Sequence, residues 1–133
     1  GSLRNEEALK VLVNKYVGLN GNDKIYAFRI LKNAAKQKIF TGLKFIGIMY
    51  KDWAESKDNN DPEDRKRHML EKGLKYLTAT AERGDMDSLF EMAVRYYRAN
   101  GVAQDLTLAF KFYKKYQEMG GEEVIKEFDH QPE

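Results

Sequence analysis

The fold is decided by residues 88–120, SLFEMAVRYYRANGVAQDLTLAFKFYKKYQEMG. Apolar residues recur three and four positions apart on both sides of Asn100-Gly101, and no part of the stretch alternates as a strand does. Asparagine and glycine both accept positive φ, so Asn100-Gly101 is predicted to form the turn between two helices. The stretch therefore predicts a helical hairpin.

The residue patterns of both halves of this hairpin also occur earlier in the chain. The first half carries a recurring spacing of apolar residues that ends on a tyrosine, at Tyr16, Tyr50 and Tyr96. The second half begins on a small residue and ends eleven positions later; the copies run from Ala27 to Lys38, from Gly73 to Gly84 and from Ala109 to Gly120. Length varies only in the connecting loop, so three helical hairpins in tandem are predicted.

These copies divide the chain. The repeats are predicted over about 8–38, 39–84 and 85–120, after a tag remnant and lead-in at residues 1–7. Residues 121–133 are predicted to hold a short capping helix, over residues 122–128, and a tail, with a truncated fourth copy as the alternative. A single hairpin cannot bury its own apolar face, so the copies are expected to stack, giving an all-α chain.

Small residues at fixed positions of the copies indicate close approach of helix axes. They are Ala27, Ala34, Gly47, Gly73, Ala93 and Ala109. In the loop between the halves of the second copy, Asp61 and Pro62 are predicted to start a helix, as N-cap and first helical residue. Trp53, at the entrance of that loop, is predicted to anchor it by its contacts, with a role in ligand binding as the alternative.

The third copy resembles the Sel-one-like repeat, a relative of the tetratricopeptide repeat. The matching residues are Ser88, Met92-Ala93, Tyr96, Asn100-Gly101-Val102, Asp105, Ala109, Phe112-Tyr113 and Gly120. The copies depart from the family pattern where Ala93 and Ala99 replace two glycines, Leu108 replaces a lysine, and Lys38 replaces the final glycine of the first copy. The resemblance implies a right-handed α/α superhelix of bacterial type that acts as an adaptor or scaffold.

Composition excludes several other classes of function. A formal charge of +2 is too balanced for a general nucleic-acid-binding field, and the absence of cysteine excludes disulfides and thiolate metal sites. His68 and His130 have no partner at metal-ligand spacing, and no catalytic motif is present, so neither enzyme activity nor a metal or cofactor is expected. No apolar run is long enough to span a membrane, and the compartment, periplasmic or cytoplasmic, stays open.

The family resemblance implies that the first helix of each copy lines a concave surface. Helical spacing puts seven candidate partner-binding residues there: Lys44, Ile48, Lys51, Phe90, Val94, Tyr97 and Arg98. The second copy also places Asp52 on this surface, and the equivalent positions of the first copy are Lys10 and Asn14. The alternative for Phe90 and Val94 is that they pack against a neighbouring helix.

The predicted function is non-enzymatic binding of a protein or peptide in this concave groove. Two alternatives stay open. The first is a structural module that self-associates weakly through its ends, and the second is a small inhibitor or immunity-type protein. A carboxylate-pair enzyme has no positive support in the sequence, although spatial partners need not be sequence neighbours.

Overall fold

The computed structural model describes residues 2–126, and the side chains of residues 5–126. In that range the chain forms α-helices and no strand, which confirms the all-α prediction. The helices are α1 (Ser2–Tyr16), α2 (Gly21–Lys36), α3 (Phe40–Glu55), α4 (Glu63–Glu82), α5 (Met86–Arg98) and α6 (Leu106–Glu118). Each predicted repeat holds two of them, while the superhelical arrangement and the number of repeats stay predictions.

The chain divides into two compact units, Gly1–Thr80 and Ala81–Glu133. The first unit contains α1, α2, α3 and nearly all of α4, and the second contains α5, α6 and the segment that follows. Helix α1 begins at Ser2, so residues 2–7, predicted as a lead-in, belong to the helix.

The core of the first unit lies where α2 packs against α3. Leu31 and Ile46 are completely buried there. The two helices approach closely at Gly42, where a Cβ atom would lie 2.7 Å from the backbone nitrogen of Ala35 and 2.8 Å from the Cβ of Ala34. A side chain at position 42 would therefore push α3 away from α2.

The last residue of each predicted copy has the same backbone conformation. Lys38, Gly84 and Gly120 have φ values of 61°, 94° and 96°. In each case the residue's N–H bonds to the carbonyl three residues earlier, at 2.9 Å for Lys38 and Gly84 and 3.0 Å for Gly120. The same turn therefore ends α2, α4 and α6, and lysine takes the place of glycine at the end of α2.

The second unit is built on α5 and α6. Leu89, Met92 and Ala93 are completely buried on α5, and the rings of Tyr96 and Phe112 stack with centroids 6.0 Å apart. Aspartates cap both helices: Asp85 accepts a hydrogen bond from the Ser88 N–H, and Asp105 from the Leu108 N–H. The predicted turn between the helices is present, with Gly101 at a φ of 81°.

Asn59 organises the loop between α3 and α4. This side chain is 3% exposed; its Nδ2 donates to the Trp53 carbonyl at 2.8 Å, and its Oδ1 accepts the Asp61 N–H at 2.8 Å. The indole of Trp53 also lies 3.4 Å from the Asp61 carboxylate. Trp53, near the end of α3, therefore contacts both Asn59 and Asp61 in the loop that leads to α4. Helix α4 begins one residue later than predicted, because the Pro62 carbonyl accepts the first helical hydrogen bond, from Lys66.

The described part of the segment after α6 does not form the predicted capping helix. Residues 121–125 have no regular secondary structure, and residues 127 and 128 lie outside the described part of the chain. The Tyr116 hydroxyl accepts the Glu123 N–H at 3.0 Å, and the Tyr113 hydroxyl lies 3.4 Å from the Glu123 carbonyl. Two phenols thus bond the backbone of Glu123, and Ile125 is buried at 2% exposure.

Candidate protein-binding groove

Helices α1 and α3 lie side by side in the first unit. Two side-chain contacts between them show this. The Thr41 hydroxyl donates to the Glu6 carboxylate, and the Tyr16 ring meets the Phe45 ring edge-on with centroids 4.9 Å apart. The residue numbers increase together along both helices at these contacts, so the helices run in the same direction. They border a groove of about 480 Å³.

The groove has an apolar surface. Val13 and Val17 contribute to it from α1 and the residue after it, and Ile48 and Met49 contribute from α3. Val17 is 85% exposed, and Ile48 and Met49 are partly exposed. Adjacent apolar side chains that water can reach are typical of a surface that another molecule covers.

Charged residues stand at the ends of this apolar strip. Lys10 of α1 and Lys44 of α3 line the groove towards its N-terminal end, and Asp52 lines it towards its C-terminal end. Lys10 is paired with the exposed carboxylate of Glu7 at 3.6 Å. The Asp52 carboxylate is likewise paired, with the Nζ of Lys51 at 3.5 Å. The groove therefore has lysines towards one end and an aspartate towards the other, and ion pairs reduce the charge that Lys10 and Asp52 offer to a ligand.

Two of the three site residues predicted on α3 line the groove, namely Lys44 and Ile48. Lys51 does not. Its side chain is 22% exposed, its Nζ lies 3.5 Å from the Asp52 carboxylate, and its backbone nitrogen faces Gly73 of α4. Lys51 therefore lies on the side of α3 that packs against α4.

The four site residues predicted on α5 belong to the second unit. Phe90, Val94 and Tyr97 are partly buried and Arg98 is exposed. The ring of Phe90 lies against that of Tyr116 on α6, with centroids 5.2 Å apart. This contact agrees with the alternative interpretation of Phe90. A continuous groove that includes both sets of residues stays a prediction.

Sequence reasoning missed the contribution of Val13 and Val17. It identified Lys10 and Asn14 as the first-copy positions, and of these only Lys10 lines the groove. A signal was available, because Lys10, Val13 and Val17 follow the spacing of one helical stripe. Val17 comes after the last residue of α1, and for that reason helical periodicity alone did not select it.

Tyr16 forms the wall of the groove at the end of α1. It is 8% exposed, and the Nζ of Lys24 lies 4.9 Å from the centroid of its ring. Burial of the phenol raises the pKa of Tyr16 above its ordinary value of 10.0. The hydroxyl therefore stays protonated at neutral pH and adds no charge to the groove.

Within residues 2–126, no three histidine, aspartate or glutamate side chains come together as a metal site. None of the helices in this range has both the length and the apolar composition of a membrane-spanning segment. No protein-family model matches the chain, and no curated protein or solved structure matches it either.

Proposed function

We propose that this chain is a protein-binding module of the Sel-one-like type that holds a segment of another protein in the groove between α1 and α3. The observation that carries the proposal is the open groove of about 480 Å³ whose apolar walls are partly exposed. A buried apolar contact is the main source of affinity in protein recognition, and charged rims mainly set orientation.

The groove favours a segment of particular chemistry. Apolar side chains of the ligand would contact Val13, Val17 and Ile48, removing these residues from water. An acidic residue at one end would face Lys10 and Lys44, and a basic residue at the other end would face Asp52. An amphipathic peptide with opposite charges at its ends is therefore the preferred occupant.

Photo-crosslinking at a single position tests this proposal. The photoreactive amino acid p-benzoylphenylalanine is placed at position 17, in the groove, and in a second variant at position 11. Val11 is the matched control, because it is also an exposed valine, at 51%, and lies on α1 outside the groove. Both variants are irradiated in cells of the source organism.

The expected result is a discrete adduct between the position-17 variant and another protein, with no such adduct from position 11. Adding the substitution Lys44→Glu to the position-17 variant is expected to weaken the adduct, because Lys44 would face the acidic end of the segment. Equal labelling from both positions would count against the groove. An adduct of twice the chain's mass would instead favour self-association.

A further inference from the structure

We infer that a second groove, on the outer face of α2, binds an acidic segment of a protein partner. This α2 groove has a volume of about 480 Å³ and lies wholly within the first unit. Its floor contains Ile25 and Phe28, and Lys24, Arg29 and Lys32 supply the charge. None of its lining residues is acidic, as far as the described part of the chain extends.

Among the described residues, some basic side chains are paired with a carboxylate and others, such as Lys57 and Lys75, are not. Lys10, Lys66, Arg67 and Arg95 each lie within 4.0 Å of a carboxylate. Within the described part of the chain, Lys24, Arg29 and Lys32 form no ion pair, and the recorded partner of Lys24 is the Tyr16 ring. Their charge is therefore not neutralised within the unit and is available to an anionic ligand.

The apolar floor identifies the kind of anion. Ile25 is 54% exposed and stands between the cations, so a ligand that offers only negative charge would leave this surface in water. A protein segment that combines acidic with apolar side chains matches both features. Nucleic acid fits less well, because its binding surfaces follow the backbone with longer arrays of cations, and the chain's net charge is only +2.

The spacing of the cations adds a constraint on the ligand. Lys24 and Lys32 are two helical turns apart, which is about 12 Å along the axis. An extended segment covers that distance in about four residues. Acidic residues four positions apart, with apolar residues between them, are therefore the expected recognition pattern.

A random library of twelve-residue peptides displayed on phage is the probe. It is selected on the wild-type protein, on the double variant Arg29→Gln/Lys32→Gln and on the control Lys57→Gln/Lys75→Gln. The control removes the same charge from exposed lysines of the first unit that line neither groove. Far-ultraviolet circular dichroism checks that all proteins are folded, and fluorescence anisotropy measures the affinity of each selected peptide.

The wild type and the control are expected to select peptides with acidic residues about four positions apart. The double variant should bind these peptides about tenfold more weakly, and the control less than about twofold, because only the variant lacks the facing charges. Raising the salt concentration should weaken binding to the wild type, since exposed charges are screened.

The inference is overturned if no peptide is selected, if selected peptides are neutral, or if the double variant binds them as tightly as the wild type. Single-stranded DNA and phosphatidylserine vesicles are tested in parallel. If the DNA or the vesicles bind and no acidic peptide is selected, the α2 groove is assigned to that ligand and the inference is overturned. A peptide that does not bind the variant Val17→Asp but still binds the double variant occupies the α1–α3 groove. The two proposals can therefore fail separately.

Discussion

A Cβ atom on Gly73 would lie 2.9 Å from the carbonyl oxygen of Gly47. It would also lie 2.8 Å from the backbone nitrogen of Lys51. Both of these atoms belong to the backbone of α3, so α3 and α4 meet backbone to backbone at this point. The sequence predicted close approach at Gly47 and Gly73, and the structure confirms it.

The substitution Gly73→Ala is expected to lower the free energy of unfolding by about 2 kcal/mol, because the backbone atoms of α3 cannot move aside as a flexible side chain can. Urea denaturation measures the change. The control is Gly18→Ala, since a Cβ atom on Gly18 would find its nearest neighbour at an ordinary 3.7 Å. Equal destabilisation by the two substitutions would show that the close contact between α3 and α4 is not the cause.

Ala99→Gly is expected to stabilise the chain. Ala99 ends α5 in the left-handed conformation, with φ of 56° and ψ of 41°, where a Cβ atom is unfavourable. Glycine should raise the free energy of unfolding by about 1 kcal/mol, as measured by thermal or urea denaturation. The control Ala103→Gly has no positive φ to relieve and should destabilise slightly, because glycine loses more entropy on folding.

Asn59→Ala is expected to destabilise the loop between α3 and α4. It leaves the Trp53 carbonyl and the Asp61 N–H without their side-chain partner, which costs about 2 kcal/mol for groups near the core. Tryptophan fluorescence during urea denaturation reports the effect, because Trp53 is the chain's single tryptophan. The control is Asn60→Ala, at the exposed neighbouring residue. If Asn60→Ala lowers the free energy of unfolding as much as Asn59→Ala does, the two hydrogen bonds are not the cause.

We expect the free energy of unfolding to depend on pH through Tyr16. Because burial raises the pKa of Tyr16 in the folded chain, the unfolded chain loses this proton at lower pH than the folded chain. The free energy of unfolding should therefore be unaffected by Tyr16 at neutral pH and fall as pH rises above about 10, levelling off above the raised pKa.

Denaturation in urea at about pH 8 and about pH 11 measures this dependence. Tyr16→Phe should remove part of the decline, whereas Tyr26→Phe, at a ring that is 68% exposed, should leave it unchanged. An identical decline in wild type and Tyr16→Phe would show that this phenol does not contribute.

The local features of the fold could be predicted from the sequence because they depend on residues close together in the chain. Periodicity three and four residues apart located the helices, and the repeat predicted that residues 38, 84 and 120 are equivalent. The common positive φ at Lys38, Gly84 and Gly120 follows from one local turn. The prediction of a helix over residues 122–128 used the same local rule, and it is wrong for residues 122–125.

The sequence by itself therefore determined the all-α class, the helices and the small residues that let α3 and α4 touch. Only the tertiary structure decided that Val17 joins Lys44 and Ile48 in one groove, that Lys51 faces α4, and that the Tyr113 and Tyr116 hydroxyls bind the backbone of Glu123. These outcomes depend on side chains brought together from different helices or from beyond a helix end, where helical periodicity no longer says which way a residue faces.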